Sequence, residues 1–198
     1  METIRRTALI ERTTKETGIR LNLDVDGTGV MDVQTGIGFL DHMMTLFAHH
    51  GRFDLELKVN GDLHVDPHHT VEDTGIALGQ AFKTALGDKA GIVRYGSFWA
   101  PMDEALVLCA LDLCGRPYTV CDFQLENHRL GTLDTELVPD FFEAFATNVG
   151  MNLHLRQFAG RNTHHIVEAA FKATARALDA ATQYDPRVSG VPSTKGTL

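Results

Sequence analysis

The sequence is poor in cysteine, in positive charge and in long apolar runs. Its 198 residues include only 3 cysteines, Cys109, Cys114 and Cys121. An odd number of cysteines in apolar, strand-like segments favours reduced, structural thiols over a disulfide framework. No cysteine stands at zinc-finger spacing from a histidine. A metal site in this chain would therefore be built from imidazole and carboxylate groups.

The shortage of positive charge limits the partners. Lysine and arginine number 18 against 26 acidic residues, a formal net charge of -8, and they form no basic run. Binding to a phosphate backbone needs clustered basic residues, so we expect no nucleic-acid partner. No apolar run is as long as a membrane span or resembles the core of a signal peptide. We therefore expect a cytoplasmic protein with no membrane partner, and its 43% hydrophobic content suffices for one or two small domains.

Histidine, in contrast, is abundant and patterned. The segment His68-His69-Thr70-Val71-Glu72 recurs as His164-His165-Ile166-Val167-Glu168. Each segment begins a stretch with helical periodicity, where residues i and i+4 share a face and residue i+1 is turned by about 100°. The first histidine and the glutamate of each motif can therefore chelate one ion. The middle histidine points elsewhere and can reach a different ion, which indicates a two-metal site.

The two motifs belong to an internal duplication. A shift of 98 residues places the apolar residues of the alternating stretch 53–59 on those of 151–155, and a two-residue deletion then superimposes the motifs. The repeated unit reads as three strands, a helix, a strand and a helix, which predicts an α+β fold of two-layer sheet-plus-helix units. We expect residues 1–90 to form the first βββαβα repeat, residues 91–184 the second, and residues 185–198 an extended tail.

Two local features of the first half follow from turn and cap chemistry. Residues 26–29 have the composition of a tight turn, so the strands 19–25 and 30–33 are predicted to pair as a hairpin. Apolar residues at helical spacing predict a helix over 39–50, with Gly51 as the glycine just past its end.

In the second half, strands are predicted over 106–112 and 118–123, before a helix over 137–148. A further strand over 151–155 precedes the second motif. That motif opens a helix to about Gln183.

The duplication also predicts the remaining metal ligands. His42 lies 26 residues before the first motif and Asp140 lies 24 residues before the second, each on the helix before the alternating strand. Two related sites would each draw one ligand from this pair. The predicted sets are His42, His69, His164 and Glu168 for one ion, and Asp140, His165, His68 and Glu72 for the other. Nitrogen and oxygen ligands leave Mn, Fe, Ni and Zn open. Helix capping alone does not explain four histidines, because serine, threonine, aspartate and asparagine cap better.

Two cationic side chains lie on the ligand faces of their helices. Lys172 is four residues after Glu168, and its counterpart in the first repeat is Ile76. This position favours anion binding over a solvated lysine. His50 is eight residues after His42 and could equally interact with the dipole at the end of its helix.

Further candidates occur in turn-like segments. Arg94 and Arg116 are each flanked by glycine or proline and are, taken singly, more typical of surface arginines. The tail offers hydroxyls and an amine beside a glycine, which suggests phosphate binding. The tail residues concerned are Ser193, Thr194 and Lys195, and Glu16 is a further turn carboxylate.

Six segments together resemble one known family. They are 38–43 (GFLDHM), 66–73 (DPHHTVED), 101–104 (PMDE), 115–117 (GRP), 162–168 (NTHHIVE) and 192–196 (PSTKG). These motifs resemble those of the imidazoleglycerol-phosphate dehydratase family, and the match covers essentially the whole chain. No phosphatase segment precedes it, so the monofunctional form is expected.

The resemblance implies a hydro-lyase of L-histidine biosynthesis. It would convert D-erythro-imidazole-glycerol phosphate to imidazole-acetol phosphate and water, with a fold of the ribosomal S5 domain 2-like type. The resemblance also implies two Mn²⁺ ions per active site, with the ligand division given above, and sites between the subunits of a homo-oligomer of 24 chains. A dinuclear metallohydrolase and a non-catalytic metal-storing assembly are the competing classes.

The resemblance assigns roles to single residues. Glu16 matches an acidic residue on a mobile segment that contacts substrate, and a family glutamine after His42 is replaced here by Leu46. The family commonly has histidine at the position of Asp140. The substrate-binding residues, chiefly for phosphate, would be Glu16, His42, His50, Arg94, Arg116, Lys172, Ser193, Thr194 and Lys195. The catalytic proton carriers would be among Glu16, Glu72 and Glu168.

Overall fold

The computed structural model describes residues 5–198, in which two similar halves follow one another. The elements of the first half are β1 (Thr7–Thr13), β2 (Thr17–Asp24), β3 (Met31–Gln34), α1 (Gly38–Gly51), β4 (Asp54–Gly61) and α2 (His68–Leu86). Those of the second half are β5 (Tyr95–Met102), β6 (Ala105–Asp112), β7 (Tyr118–Asp122), β8 (Arg129–Leu130), β9 (Leu133–Asp134), α3 (Leu137–Val149), β10 (Asn152–Ala159) and α4 (Thr163–Thr182). Among the described residues, no helix is both long and apolar enough to cross a membrane.

The two main sheets have the same topology. Their strand orders are β1-β2-β4-β3 and β5-β6-β10-β7. In each sheet the last strand along the chain inserts between the second and the third, antiparallel to the former and parallel to the latter. The predicted α+β fold with an internally duplicated βββαβα unit is therefore confirmed. The division at residues 90 and 184 stays a prediction, and residues 1–4 lie outside the described part.

The predicted hairpin between the second and third strands is wrong. β4 lies between β2 and β3 and pairs with both. The physical reason is the side chain of Asp54 at the start of β4, whose Oδ1 accepts hydrogen bonds from the backbone N–H groups of Thr28, Gly29 and Val30 at 2.8, 3.0 and 2.9 Å. This turn is thereby bound to β4 and does not fold the chain back on β2.

The predicted end of the first helix is also corrected. Gly51 is still helical, and the residue in the left-handed conformation is Arg52, with φ of 58°. Gly51 is required for a different reason, since a Cβ at this position would overlap the ring of Phe53. No alternation of apolar and polar residues revealed β5 in the sequence, because the residues of this strand are mostly half-buried or exposed on both faces.

The helices form the interior of the molecule. α2 contacts β1, β2 and β4, α4 contacts β5 and β6, and the helices pair across the middle as α1 with α4 and α2 with α3. Phe47, Phe82 and Phe145 meet edge to face at centroid distances of 5.7 to 6.0 Å, so the two halves share one apolar core. Aromatic pairs in this arrangement stabilise a core beyond the area they bury.

Close backbone approach sets the direction of the helix pairs. A Cβ at Gly75 would lie 2.7 Å from the carbonyl oxygen of Phe141, and a Cβ at Gly79 would lie 2.6 Å from that of Phe145. Both contacts advance in the same sense along the chain, so α2 and α3 run parallel. The N-terminal ends of α2 and α3 therefore lie together, which brings the first histidine motif beside a helix of the second repeat.

Candidate active site

The start of α4 and the first turns of α1 form a tight group of potential metal ligands, here called the α1/α4 cluster. It consists of His42, His164 and Glu168, whose donor atoms all lie within 4.8 Å of one another. The Nε2 atoms of His164 and His42 are 3.1 and 3.4 Å from Glu168 Oε2. The side chain of Asn162 caps α4 by accepting a hydrogen bond from the backbone N–H of His164 at 3.0 Å. The cluster thus combines one residue of the first repeat with two of the second.

The carboxylate of this cluster is buried and ionised. Glu168 is 6% exposed, and Lys172 Nζ lies 2.5 Å from its Oε1. Burial alone would raise the pKa of Glu168, but the Lys172 ammonium and the hydrogen bond from His164 outweigh it, and the pKa is lowered. A carboxylate held in this form is a suitable ligand for a cation.

Cationic and aromatic groups surround the cluster. The ring of Phe39 stands edge-on to that of His164, with centroids 5.1 Å apart. Burial, followed by the positive charge of Lys172, lowers the pKa of His50. Lys172 and His50 therefore lie near one another, and their binding roles stay predictions.

A second group lies between the other pair of helices and is called the α2/α3 cluster. His68, Glu72 and Asp140 line a cleft of about 460 Å³ together with Ile76. His68 Nε2 is 3.7 Å from Glu72 Oε2, and both side chains are about half exposed, at 46% and 48%. Within residues 5–198 only the α1/α4 cluster is contracted to metal-ligand spacing.

The middle histidines of the motifs join neither cluster within one chain. His69 Nδ1 lies 3.0 Å from Asp62 Oδ2, and His165 Nδ1 lies 2.7 Å from Glu104 Oε2. These hydrogen bonds raise the pKa of both histidines. Each predicted set of four ligands is thus represented by three residues in one place, with the fourth directed elsewhere.

Arg94, another candidate for phosphate binding, lies at the opposite end of α4. The guanidinium of Arg94 donates to both carboxylate oxygens of Asp112 at 2.6 and 2.9 Å and to the carbonyl of Pro192 at 2.8 Å. The carboxylate raises the pKa of Arg94. The backbone N–H of Arg94 bonds to the carbonyl of Ala181, which is ~20 Å along the helix axis from Glu168 at 1.5 Å per residue.

The tail lies in the same region as Arg94. Ser193 Oγ accepts a hydrogen bond from the backbone N–H of Lys195 at 3.2 Å, in a turn where Thr194 is exposed. A Cβ at Gly115, the neighbour of Arg116, would lie 2.6 Å from the last residue, Leu198. Within one chain these residues do not meet the α1/α4 cluster. Glu16 stands apart from them, with Oε1 3.8 Å from His69 Nε2.

Sequence reasoning did not find the roles of Asp62 and Glu104. Glu104 stood inside a recognised motif, but nothing in its spacing linked it to His165, which is 61 residues away. Asp62 follows the end of β4 and carried no signal beyond that of a turn residue. Both contacts depend on how the turns between elements fold against the helix starts.

Fold and site together define a class: a duplicated α+β protein in which imidazole and carboxylate side chains of both repeats converge at a spacing that fits a metal ion. The chain belongs to the imidazoleglycerol-phosphate dehydratase family, whose sequence profile matches residues 35–178. The resemblance predicted from the motifs is thereby confirmed.

Individual relatives match this chain over nearly its full length. The chain is 63% identical over 193 residues to the imidazoleglycerol-phosphate dehydratase of Lachnoclostridium phytofermentans, covering 98% of both chains. It is 58% identical over 189 residues to that of Acetivibrio thermocellus, covering 96% of this chain and 97% of the relative. The crystal structure of the enzyme from Staphylococcus aureus superposes with a TM-score of 0.82 at 38% identity, covering 90% of this chain and 99% of the other. For the Pyrococcus furiosus structure the TM-score is 0.83 at 36% identity, with 96% and 100% covered.

Proposed function

We propose that this protein dehydrates D-erythro-imidazole-glycerol phosphate to imidazole-acetol phosphate and water, as a hydro-lyase of histidine biosynthesis in the cytoplasm. Membership of the family supports the reaction. The observation that carries the proposal is the convergence of His42, His164 and Glu168 from two repeats into one group of donors. Such a group fits a substrate whose imidazole ring needs a cation beside it.

The donor set fits divalent metal, and we propose two Mn²⁺ ions per active site. His42, His164 and Glu168 would hold one ion, and His68, Glu72 and Asp140 the other. The ligands are nitrogen and oxygen atoms, which suit Mn²⁺. The thiols of buried Cys109 and half-buried Cys121, whose pKa burial raises to about 12, belong to neither group. When bound, such an ion supplies Lewis-acid stabilisation of negative charge that develops on the imidazole ring.

The reaction is difficult because the proton to be removed is weakly acidic. The carbon attached to the ring loses its hydroxyl, the neighbouring carbon loses a proton, and the resulting enol becomes the ketone. The hydroxyl leaves as water once it has gained a proton, so one group must accept a proton and one must donate. Glu16, Glu72 and Glu168 are the carboxylates proposed for these transfers, and Lys172 keeps Glu168 ionised.

The phosphate group would position the ring. Lys172 provides positive charge near the α1/α4 cluster, and His50, whose pKa is lowered by burial and by that charge, would offer a neutral ring for hydrogen bonding. Oriented binding of this kind lowers the barrier, because the reacting groups no longer lose freedom of motion at the transition state. The other phosphate-binding residues proposed from the resemblance are Arg94, Arg116, Ser193, Thr194 and Lys195.

We further propose that complete sites form between chains, within a homo-oligomer of 24 subunits. Three observations support sites between chains. Each cluster holds three of four proposed ligands. The Nε2 atoms of His69 and His165 lie beside Glu16 and Asp103 instead, and Arg94 lies at the far end of α4. A second copy of the chain can supply the missing groups.

The test is an assay of imidazole-glycerol phosphate with protein stripped by a chelator. Dehydration is expected to disappear without metal and to return with Mn²⁺, and His69→Ala is expected to remain inactive at saturating Mn²⁺. Full activity of metal-free protein would contradict the metal dependence. Hydrolysis of phosphate esters lacking an imidazole ring would favour a metallohydrolase, and metal binding without turnover would favour storage.

A further inference from the structure

The middle histidines of the two motifs share an arrangement that the proposed reaction has not used. In each, Nδ1 meets a carboxylate from a turn, Asp62 for His69 and Glu104 for His165. We propose that Asp62 and Glu104 are positioning residues, which hold His69 and His165 in the tautomer that offers Nε2 as the metal ligand. This inference rests on the metal dependence proposed above.

The hydrogen-bond chemistry selects the tautomer. An ionised carboxylate can only accept hydrogen bonds, so the hydrogen of a neutral imidazole must be on Nδ1. The lone pair is then on Nε2, the atom available to a metal ion. A ligating histidine that donates its other ring N–H to a carboxylate is fixed in orientation and gains basicity.

Glu104 is itself rigidly held. Its Oε1 accepts hydrogen bonds from the backbone N–H groups of Arg161 and Asn162 at 3.1 and 2.8 Å, just before α4. Its Oε2 is the atom that meets His165 at 2.7 Å. Two backbone donors and one ring nitrogen thus surround the two oxygens, an environment that suits a carboxylate acting only as an acceptor.

Asp62 meets Nδ1 of His69 as Glu104 meets that of His165, but it comes from a different part of the repeat. Both of its oxygens lie near His69 Nδ1, at 3.0 and 3.3 Å, and its side chain is 16% exposed. It follows β4, whereas Glu104 lies in the turn between β5 and β6. The arrangement at the ring nitrogen is therefore not a simple copy made by the duplication.

The counterpart of Glu104 in the first repeat is Glu16. Each directly precedes the first residue of the second strand of its sheet, Ala105 and Thr17. Glu16 lies 3.8 Å from Nε2 of His69, on the metal side of the ring. Because Asp62 orients His69, Glu16 is left available for the substrate contact proposed for it.

The decisive variant is Glu104→Gln. Two backbone N–H groups require an acceptor, so the amide oxygen of the glutamine remains with them and its NH₂ group faces His165. Nδ1 must then accept, and the hydrogen moves to Nε2. We expect the Kd for Mn²⁺ to rise about 10- to 100-fold. The assembled protein would be titrated with Mn²⁺, and electron paramagnetic resonance would measure the unbound ion. Asp62→Asn is expected to act in the same direction, and the exposed Glu126→Gln is the matched control.

A second measurement needs no metal. Magic-angle-spinning NMR of sedimented, histidine-¹⁵N-labelled protein distinguishes protonated from unprotonated ring nitrogens. One histidine is expected to change tautomer in Glu104→Gln and none in Glu126→Gln.

The outcomes separate this inference from the proposed function. Unchanged tautomers and unchanged Mn²⁺ affinity in Glu104→Gln and Asp62→Asn, with normal binding by the unmodified protein, would overturn the positioning role alone. A lower melting temperature at constant Mn²⁺ affinity would reduce Glu104 to a cap of α4 and would also overturn it. Absence of Mn²⁺ binding in the unmodified protein would remove the proposed metal dependence, and this inference with it.

Discussion

The α1/α4 and α2/α3 clusters derive from equivalent positions of a duplicated chain, yet their surroundings differ. In the first, Glu168 is 7% exposed at the side chain and paired with Lys172. In the second, Glu72 is 48% exposed, and Ile76 stands where the first has its lysine. The spacing of the ligands was retained, whereas their burial and charge balance diverged.

This difference indicates different degrees of preorganisation. Glu168, His42 and His164 are already within metal-ligand spacing. The α2/α3 group lines an open cleft, so its side chains must contract around an ion and lose rotamer freedom. We expect the first cluster to bind metal more tightly, and the second to depend more on the groups supplied by another chain.

The largest expected effect is loss of a ligand from the preorganised cluster. His164→Ala is expected to lower kcat/KM about 10³-fold or more, because a bound metal contributes several kcal/mol of charge stabilisation and each 1.36 kcal/mol is tenfold. His68→Ala should also lose activity, and metal analysis should find about half the normal Mn²⁺ in each variant. His154→Ala, on an exposed position of β10, is the control. Normal Mn²⁺ content in His164→Ala would refute the ligand assignment.

The next effect tests the charge that only one cluster has. Lys172→Ala is expected to raise KM for the phosphorylated substrate about 10- to 100-fold, since hydrogen bonds to charged groups contribute about 1.5–3 kcal/mol. Steady-state kinetics would show a smaller change in kcat. Lys83→Ala, exposed on α2, is the matched control. A fall in kcat at constant KM would mean that Lys172 acts in the chemical step instead.

A smaller effect concerns stability and pH. The folded-state pKa of Glu168 is lowered from 4.5, so its ionised form stabilises the fold fully above about pH 4.5 and this contribution is lost as the pH falls through the lowered pKa. Glu168→Gln should reduce the unfolding free energy of metal-free protein by about 1–3 kcal/mol above pH 5, and by less in acid. Denaturant titrations at several pH values measure the difference.

The half-exposed glutamate of the other cluster is the control for that measurement. Glu72→Gln should stay within about 0.5 kcal/mol of the unmodified protein, as surface substitutions usually do. If the loss of unfolding free energy in Glu168→Gln did not depend on pH, the role assigned to the charge of Glu168 would be contradicted.

The smallest effect is expected from a substitution that makes the two clusters more alike. Asp140→His gives the α2/α3 cluster the imidazole that His42 gives the other. We expect Mn²⁺ affinity to change by less than about tenfold, ~1.4 kcal/mol, with a shift of preference toward Zn²⁺ because imidazole is the softer ligand. Competition titrations with both ions would measure the shift. An unchanged preference would argue against Asp140 as a ligand.

Much of the fold could be predicted, because each repeat carries its own recognisable sequence patterns. The matched motifs and the alternating stretches predicted the element order and the pairing of His42 with the second motif. The strand insertion was missed because it depends on Asp54 binding the backbone of Thr28 to Val30, and no periodicity records such a contact. Gly51 was assigned to a helix end, whereas its role is to make room for Phe53.

The candidate site, too, has contacts that could be predicted from the sequence and contacts that could not. Positions four residues apart on a helix share a face whatever the tertiary structure, so the pairing of His164 with Glu168 could be predicted from spacing alone. The contacts of Asp62 and Glu104 could not, since turn residues meet the helix starts only in the folded chain. The distance between Arg94 and the α1/α4 cluster likewise follows from the antiparallel passage of β5 along α4.

The sequence by itself determined the family, the repeat and the residue types of both clusters, because these follow from identity and spacing along one chain. Tertiary structure alone decided which helix lies beside which. It also decided that one cluster is buried with a lysine while the other is open, and that two turn carboxylates orient the middle histidines. Burial, charge pairing and hydrogen-bond direction depend on neighbours distant in sequence, and those neighbours are set only when the two repeats pack around their shared core.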